Sequence, residues 1–189
     1  MTVVERHALS WWGLTFALMK AVALPMSNKT LGHQVGYLVQ CWLQQAAAAD
    51  VREKLTLSER LRLSRELAHL LCPSGEAIFD WEDAWEVLRY SLGLWVGRAV
   101  DQGKDRARQA AGQLWSQGLR LGPGTGQMGR ALLVVRTERL GDAELQELIY
   151  ITETVQKRVG AGCLTEAAHD ADRRLGQQLE VLLLVGYGA

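Results

Sequence analysis

Three short apolar runs in the second half of the chain constrain its fold more than any other feature. They are rich in leucine and valine and have the length of buried strands. They are Leu92–Val100, Ala131–Arg136 and Leu179–Tyr187. Because helical periodicity separates these runs, the pattern predicts a mixed sheet that is covered by helices.

The remaining elements of residues 74–189 complete a predicted order. Asp80 begins a short helix that runs to about Arg89, and Gly118–Gly129 is predicted to be a glycine-rich loop. Two longer helices and a fourth strand are expected at Lys104–Trp115, Asp142–Val159 and Gly162–His169. The inward residues of the first long helix are Ala107, Ala110, Ala111 and Leu114. The sequence therefore predicts an α+β domain with a four-stranded mixed sheet in the order β-α-β-α-β-β.

Residues 1–73 are predicted to be an all-helical region. Helices are expected at Ala8–Ala23, at His33–Ala49 and from Thr56 to Pro73, where proline ends the last one. The apolar face of the second helix consists of Val35, Leu38, Val39, Trp42, Leu43 and Ala46. The third helix has a capping-box pattern at Thr56 and Glu59, and its predicted apolar stripe is Leu57, Leu61, Ala68 and Leu71.

The balance of charges and the spacing of cysteines exclude several classes of function. The chain of 189 residues has 21 basic and 21 acidic residues, which gives no electrostatic footprint for nucleic acid. Neither the cysteines nor the histidines have the spacing of a metal site or a catalytic triad. They are Cys41, Cys72, Cys163, His7, His33, His69 and His169. We therefore expect free thiols, no metal and no cofactor.

The apolar segment Ala8–Ala23 looks like a secretion signal at first sight. Glu5 and Lys20 disagree with that interpretation, and the segment is too short to span a bilayer. A cytoplasmic protein without a transmembrane segment is therefore expected. The aromatic residues of this segment are predicted to pack on the 33–49 helix, although contact with a membrane surface or a partner remains an alternative. The residues concerned are Trp11, Trp12, Phe16 and Met19.

Three segments, in the right order and at the right separations, carry a resemblance to a known family. The first is Phe79–Ala84, with an acid at Asp80 and another at Asp83. The second is Gly93–Ala99, which leads into the helix start at Gly103–Ala111, and the third is Leu175–Tyr187. Together they resemble the C-terminal domain of the bacterial cell-division GTPase FtsZ, of the tubulin/FtsZ superfamily. The likeness covers residues 76–188.

This resemblance implies a role for the segment that opens the Asp80 helix. In the FtsZ family two acids of this loop reach into the GTP pocket of the neighbouring subunit and orient the attacking water. Asp80 and Asp83 match them, Trp81 matches a neighbouring aromatic residue, and Ile78 stands where the family has asparagine. The residues alone allow a purely structural alternative, in which Asp80 caps the helix and Asp83 is a favourable first-turn acid.

Departures from the family pattern lead to the functional expectation. No GTPase domain fits in front of Asp80, and the family's tail for membrane anchors is missing after Ala189. Gly122–Gln127 imitates a phosphate-binding loop but lies between a helix and a strand and has no Lys-Ser/Thr, so a plain connection is predicted. GTP hydrolysis by the chain alone is therefore not expected, although the two acids could act on a partner's GTP site.

Three functional hypotheses follow from this combination. The first is a non-catalytic protein that binds an FtsZ-type filament or subunit and caps or limits its assembly. The second is a self-associating structural or membrane-surface protein that reuses the domain. An enzyme with its own nucleotide site is a third, and it requires the 122–127 loop to hold phosphate. The charge cluster of Asp170, Asp172, Arg173 and Arg174 is interpreted as a solvated loop.

Overall fold

The structure is a computed structural model of the chain. It describes residues 28–44, 55–71, 81–89, 91–122 and 128–188. The chain divides into two compact units, Met1–Leu31 and Gly32–Ala189. The predicted Ala8–Ala23 helix, with Trp11, Trp12, Phe16 and Met19, lies outside the described residues. The predicted domain boundary near residue 74 stays a prediction.

Five α-helices are described. They are α1 (Asn28–Gln44), α2 (Leu57–Leu71), α3 (Trp81–Arg89), α4 (Arg106–Gln117) and α5 (Asp142–Val159). Within these described ranges no helix combines the length and the apolar character that crossing a membrane requires.

The strands form one mixed sheet. They are β1 (Gly93–Gln102), β2 (Leu119–Leu121), β3 (Met128–Thr137), β4 (Leu164–Ala171) and β5 (Gln178–Tyr187). Their spatial order is β2-β1-β5-β3-β4, with β3 and β4 parallel and the other neighbours antiparallel. A short 3-10 helix, Arg173–Leu175, connects β4 to β5. The predicted α+β class with a mixed sheet is confirmed.

The sheet has one strand more than the sequence predicted. The additional strand, β2, lies inside the predicted loop Gly118–Gly129 and pairs with β1, Leu121 opposite Leu94. Three residues are too few to show the alternation of apolar and polar positions that marks a strand. The order of strands and helices along the chain after α3 is therefore β-α-β-β-α-β-β. Tertiary pairing with β1, rather than local pattern, defines β2.

One face of the sheet is covered by α4 and α5 and is apolar. Successive strand residues point to opposite faces, so alternate positions of β1, β3 and β5 share this side. The core residues that the strands supply are Ala99, Ala131, Leu133, Val135, Leu179, Val181, Leu183 and Val185. The helices add Ala107, Ala110, Leu114, Ile151, Val155 and Val159. The inward positions predicted for the 104–115 helix, including Ala111, are all buried.

The opposite face of the sheet is covered by α2 and α3. The capping box that opens α2 is confirmed, because the Thr56 backbone N–H donates to Glu59 Oε2 at 2.8 Å and Glu59 N–H donates to Thr56 Oγ1 at 3.3 Å. The predicted stripe is wrong in part, since Leu57 and Leu61 are 73% and 63% exposed. Leu71 is buried as predicted, and the other buried residues are Leu63, Glu66, Leu67 and Leu70. A leucine-rich helix offers two overlapping stripes, and the position of the sheet selects one.

Helix α1 buries the side that the sequence predicts. Val35, Leu38, Val39, Trp42 and Leu43 are all buried. The helix ends at Gln44, and Ala46 lies outside the described residues. Three to four residues separate most members of this face, which is why the helical period alone located it.

Candidate functional site

Helix α3 contains Asp83, the predicted site residue whose side chain the structure describes. It begins at Trp81, and its first turn contains the acids Glu82 and Asp83. Ile78, Asp80 and the side chain of Trp81 lie outside the described residues. Asp83 is half-buried and Glu82 is exposed. Acids in a first turn are stabilised by the partial positive charge of the helix N-terminus, which accounts for them locally.

The position of α3 is fixed by a close approach to β5. Ser91, just after the helix, donates from Oγ to the Val87 carbonyl at 2.5 Å. A Cβ added at Gly186 would lie 1.9 Å from Ser91 Oγ and 2.8 Å from the Val87 carbonyl oxygen. Only a residue without a side chain lets the helix end approach the strand so closely. Gly186 therefore sets the distance between α3 and the sheet.

A hydrogen bond from the N-terminal half of the chain reaches the same point. Trp42 of α1 is completely buried, and its Nε1–H donates to the Ser91 carbonyl at 3.2 Å. A buried indole N–H needs an acceptor, and a buried carbonyl needs a donor. Helix α1 is thereby joined to the end of α3. The sequence located Trp42 on a buried face but gave no signal for its hydrogen-bond partner.

Tyr187, the last residue of β5, connects three strands of the sheet beside α3. Its hydroxyl lies 3.1 Å from the carbonyl oxygens of both Leu94 and Leu121, and the Arg120 guanidinium lies 5.5 Å from the ring centroid. Burial raises the pKa of Tyr187, against a smaller opposing effect of Arg120. The phenol therefore stays protonated and can donate to these carbonyls, so that it links β5 to β1 and β2.

A cleft of about 230 Å³ opens between α3 and the adjoining ends of β3 and β5. Its lining consists of Glu86, Val87, Ser91, Gly129, Arg130, Gly186 and Tyr187. Glu86 pairs with Arg89 one turn further along α3 and with Arg130 of β3, 3.5 Å away. Asp83, the predicted site residue whose side chain is described, is not among the residues that line this cleft.

A row of alternating charges crosses four strands on the sheet face under α2. Arg98 Nε lies 2.5 Å from Glu180 Oε1, and Arg136 lies 3.2 Å from Glu180 Oε2 and 2.8 Å from Asp170 Oδ2. Arg136, Glu180 and Asp170 are all buried. The strand register places Arg136 directly opposite both acids. Each buried charge thus has an opposite partner, as burial in low dielectric requires.

This charge row corrects one prediction from the sequence. Asp170 and Asp172 are buried rather than part of a solvated loop, and only Arg173 and Arg174 of that cluster are exposed. Asp172 accepts hydrogen bonds from the Arg174 backbone N–H at 3.0 Å and from Arg174 Nε at 2.9 Å. The reason is that β4 continues to Ala171, beyond the predicted end at His169, and carries Asp170 into the sheet.

Arg106 lies in Gly103–Ala111, within the second segment that resembles FtsZ, and it has a structural role. Its guanidinium donates to both oxygens of Glu147 at 2.8 and 2.7 Å and to the Gln177 carbonyl at 2.8 Å. Hydrogen bonding to Glu147 raises the pKa of Arg106. The residue ties α4 to α5 and to the turn before β5. This segment therefore stabilises the domain and does not extend the candidate site.

The remaining titratable residues form no catalytic set among the described residues. His169 Nε2 lies 2.7 Å from Thr137 Oγ1, and burial lowers the pKa of both His169 and His69. Burial raises the pKa of the Cys41 and Cys163 thiols, which are free. No group of three or more potential metal ligands occurs in the described part of the chain. His7 and Cys72 lie outside it, as do residues 123–127 of the glycine-rich loop and the His33 side chain.

Comparison with known proteins finds similarity only in solved structures. No protein-family model matches the chain, and no curated protein matches it. A mutant of FtsZ from M. jannaschii is 20% identical and aligns with a TM-score of 0.51, covering 70% of this chain and 41% of that chain. An FtsZ dimer from M. jannaschii (20% identity, TM-score 0.46) covers 71% and 40%, and a GTPγS-bound CetZ2 protofilament from Haloferax volcanii (17% identity, TM-score 0.41) covers 71% and 42%.

The first of these similarities establishes a shared fold. The chain spans about two fifths of the length of the FtsZ chain that it matches. At 20% identity the likeness concerns architecture, and activity, substrates and partners do not follow from it. The predicted resemblance is confirmed at this level: the chain shares the fold of part of the FtsZ chain.

Proposed function

We propose that this chain is a non-catalytic FtsZ-like protein that binds an FtsZ-type filament or subunit and limits its assembly. The observation that supports the proposal best is the way α3 is held. Gly186 allows the end of this helix to approach β5, and Trp42 donates a hydrogen bond to the Ser91 carbonyl just after the helix. A surface that docks on a partner gains affinity when it is rigid before binding.

The chemistry of the α3 start fits such a partner. Glu82 and Asp83 lie in its first turn, and Asp80 directly precedes it. In phosphoryl transfer, carboxylates contribute by orienting water rather than by forming covalent bonds, so acids on one subunit can act at a nucleotide held by another. The residues of α3 would accordingly meet a partner's nucleotide face. Ile78 supplies no polar group, which would weaken any assistance to hydrolysis.

Limitation of growth follows from the contacts that such a chain would offer. The chain spans about two fifths of the FtsZ chain that it matches. In the proposal the chain presents its α3 side to a filament end and occupies the position that the next subunit would take. Binding at an end would then stop elongation there, and the effect would depend on the number of ends.

The test mixes this protein with the FtsZ of the same cell and measures polymer mass by sedimentation together with GTP turnover. We expect polymer mass to fall with increasing protein and the variant Asp80→Ala/Asp83→Ala to lose the effect. Asp142→Ala is a matched control, because Asp142 is likewise an acid in a helix first turn, on α5. The proposal is rejected if wild-type protein changes neither quantity, or if both variants behave alike.

A second function, self-association, is favoured by a different observation. The solvent side of α5 and the residue two positions before it expose large apolar side chains: Leu140, Leu145, Ile149 and Tyr150. Contiguous exposed apolar area commonly marks an interface. Analytical ultracentrifugation of wild type and Leu145→Glu/Ile149→Glu would detect it. A monomeric wild type rejects this alternative, whereas an oligomer that the substitutions dissolve supports it; liposome flotation tests the membrane-surface form of the same idea.

A further inference from the structure

We propose that the cleft between α3 and the ends of β3 and β5 binds a small molecule that combines an apolar group with a carboxylate. The inference is independent of the proposed filament partner. It rests on the shape of the cleft, on the irregularity of β3 at Gly129 in its wall and on the long ion pair of Arg130 at its mouth.

The wall of the cleft is built from backbone where side chains would otherwise fill the space. Strand β3 is irregular here: Met128 pairs with Tyr187 and Arg130 with Gly186, so Gly129 is skipped by the ladder. An extra residue in one strand leaves its peptide group without a strand partner. A Cβ added at Gly129 would meet only the Gly186 carbonyl oxygen, at 3.9 Å. The cleft therefore has open space beside the irregularity at Gly129.

The floor of the cleft suits an apolar group. Val87 and Tyr187 supply buried apolar surface. Gly129 and Gly186 contribute no charged group. Its volume of about 230 Å³ is smaller than the range of roughly 300–1,000 Å³ that is typical of drug-sized ligands. A ligand with one aromatic ring or a short branched alkyl group would fill it.

Arg130 defines the charged end of the ligand. Its ion pair with Glu86 is long, at 3.5 Å, and its side chain is 39% exposed. Glu86 is shared with Arg89, so one carboxylate faces two guanidinium groups. Exposed pairs of this kind contribute little, whereas a bidentate carboxylate matches the two parallel N–H groups of a guanidinium. An incoming carboxylate can thus bind Arg130 while Glu86 keeps Arg89.

The test uses 3-phenylpropionate as the probe and the uniformly ¹⁵N-labelled full chain. Amide shifts in a titration should saturate and should be centred on Gly129, Arg130 and Gly186. The neutral analogue 3-phenylpropionamide should bind about tenfold more weakly, which corresponds to one charge-assisted hydrogen-bonded contact. Arg130→Gln should weaken the carboxylate to the level of the amide.

Two further variants make the outcome decisive. Gly129→Leu places a side chain in the open space and should abolish binding of both probes. Arg108→Gln, which removes an exposed guanidinium from α4, is the control and should change nothing. The proposal is overturned if the shifts do not saturate, if they centre elsewhere, if the amide binds as tightly as the carboxylate, or if Arg130→Gln and Arg108→Gln have equal effects.

Discussion

The two faces of the central sheet are built on different principles. The face under α4 and α5 is filled by aliphatic side chains from β1, β3 and β5, and small residues of α4 pack against them. The face under α2 and α3 combines aliphatic residues with the charge row of Arg98, Glu180, Arg136 and Asp170. Burial of apolar area stabilises both faces, but only the second one, among the described residues, also contains a row of buried ion pairs, which depend on direction and distance.

This difference shows what each face contributes to the fold. Apolar side chains of similar volume can replace one another at modest cost, so the first face discriminates only weakly between registers that differ by two residues. The charge row accepts one register, because Arg136 must stand opposite Glu180 of β5 and Asp170 of β4 at the same time. A slip by one residue would turn these charges to the other face. We infer that the charge row selects the strand alignment.

The largest expected effect comes from breaking the charge row at its centre. Arg136→Ala leaves Glu180 and Asp170 buried without their shared partner, and loss of one member of a buried ion pair typically costs about 3–5 kcal/mol. Urea denaturation monitored by circular dichroism would give the change in the free energy of unfolding.

A triple variant sharpens this prediction. Arg136→Met, Asp170→Leu and Glu180→Leu together remove all three buried charges and replace them by apolar groups. Such replacements are often neutral or stabilising, so we expect much of the loss to be recovered while the specificity of the register decreases. A single variant that costs less than about 1 kcal/mol would contradict the importance of the row.

A smaller effect is expected where α3 approaches the same face. Gly186→Ala forces the new methyl group against Ser91 Oγ and the Val87 carbonyl, and overpacking of this kind costs about 1–3 kcal/mol. Gly129→Ala is the matched control, since its methyl group would have only one neighbour, at 3.9 Å. Thermal unfolding of both variants would test this. Equal melting temperatures would contradict the assignment of Gly186 as the residue that sets the helix–sheet distance.

The smallest effect compares a histidine associated with each face. Burial lowers the pKa of His169, beside the apolar face, and of His69, on α2 above the charge row. Each remains neutral in the fold at a pH where the unfolded chain already binds a proton, so stability falls as the pH drops below about 6.5. His169→Gln and His69→Gln should each reduce the slope of unfolding free energy against pH. A wild type that gains stability between about pH 7 and pH 5 would contradict the expected sign.

Local pattern was sufficient for elements with a long, regular signal. The runs at Ala131–Arg136 and Leu179–Tyr187 became β3 and β5, and the capping box of Thr56 and Glu59 marked the start of α2. It was insufficient for β2, whose three residues form a strand only because β1 lies beside them. It also selected Leu57 and Leu61 of α2, which are exposed, since the period does not say from which side a sheet will approach.

The candidate site also has features that the sequence predicted and features that only the structure revealed. The sequence alone identified Asp83 and its place in a helix first turn, and its resemblance to FtsZ was confirmed as a likeness of fold. Whether Asp80, Trp81 and Ile78 act together with Asp83 stays a prediction. The hydrogen bond from Trp42 to Ser91 and the opening beside Gly129 join positions far apart in the chain, so no local spacing could indicate them.

The sequence by itself determined which segments become the described helices and the four longer strands, because helical and strand periodicities are properties of neighbouring residues. It also determined that the charges of the chain balance. Only the tertiary structure decided which of those charges are buried. Arg136, Asp170 and Glu180 become a charge row because strand pairing brings together residues from three separate strands, and the free energy of a buried charge depends on the partner that this pairing supplies.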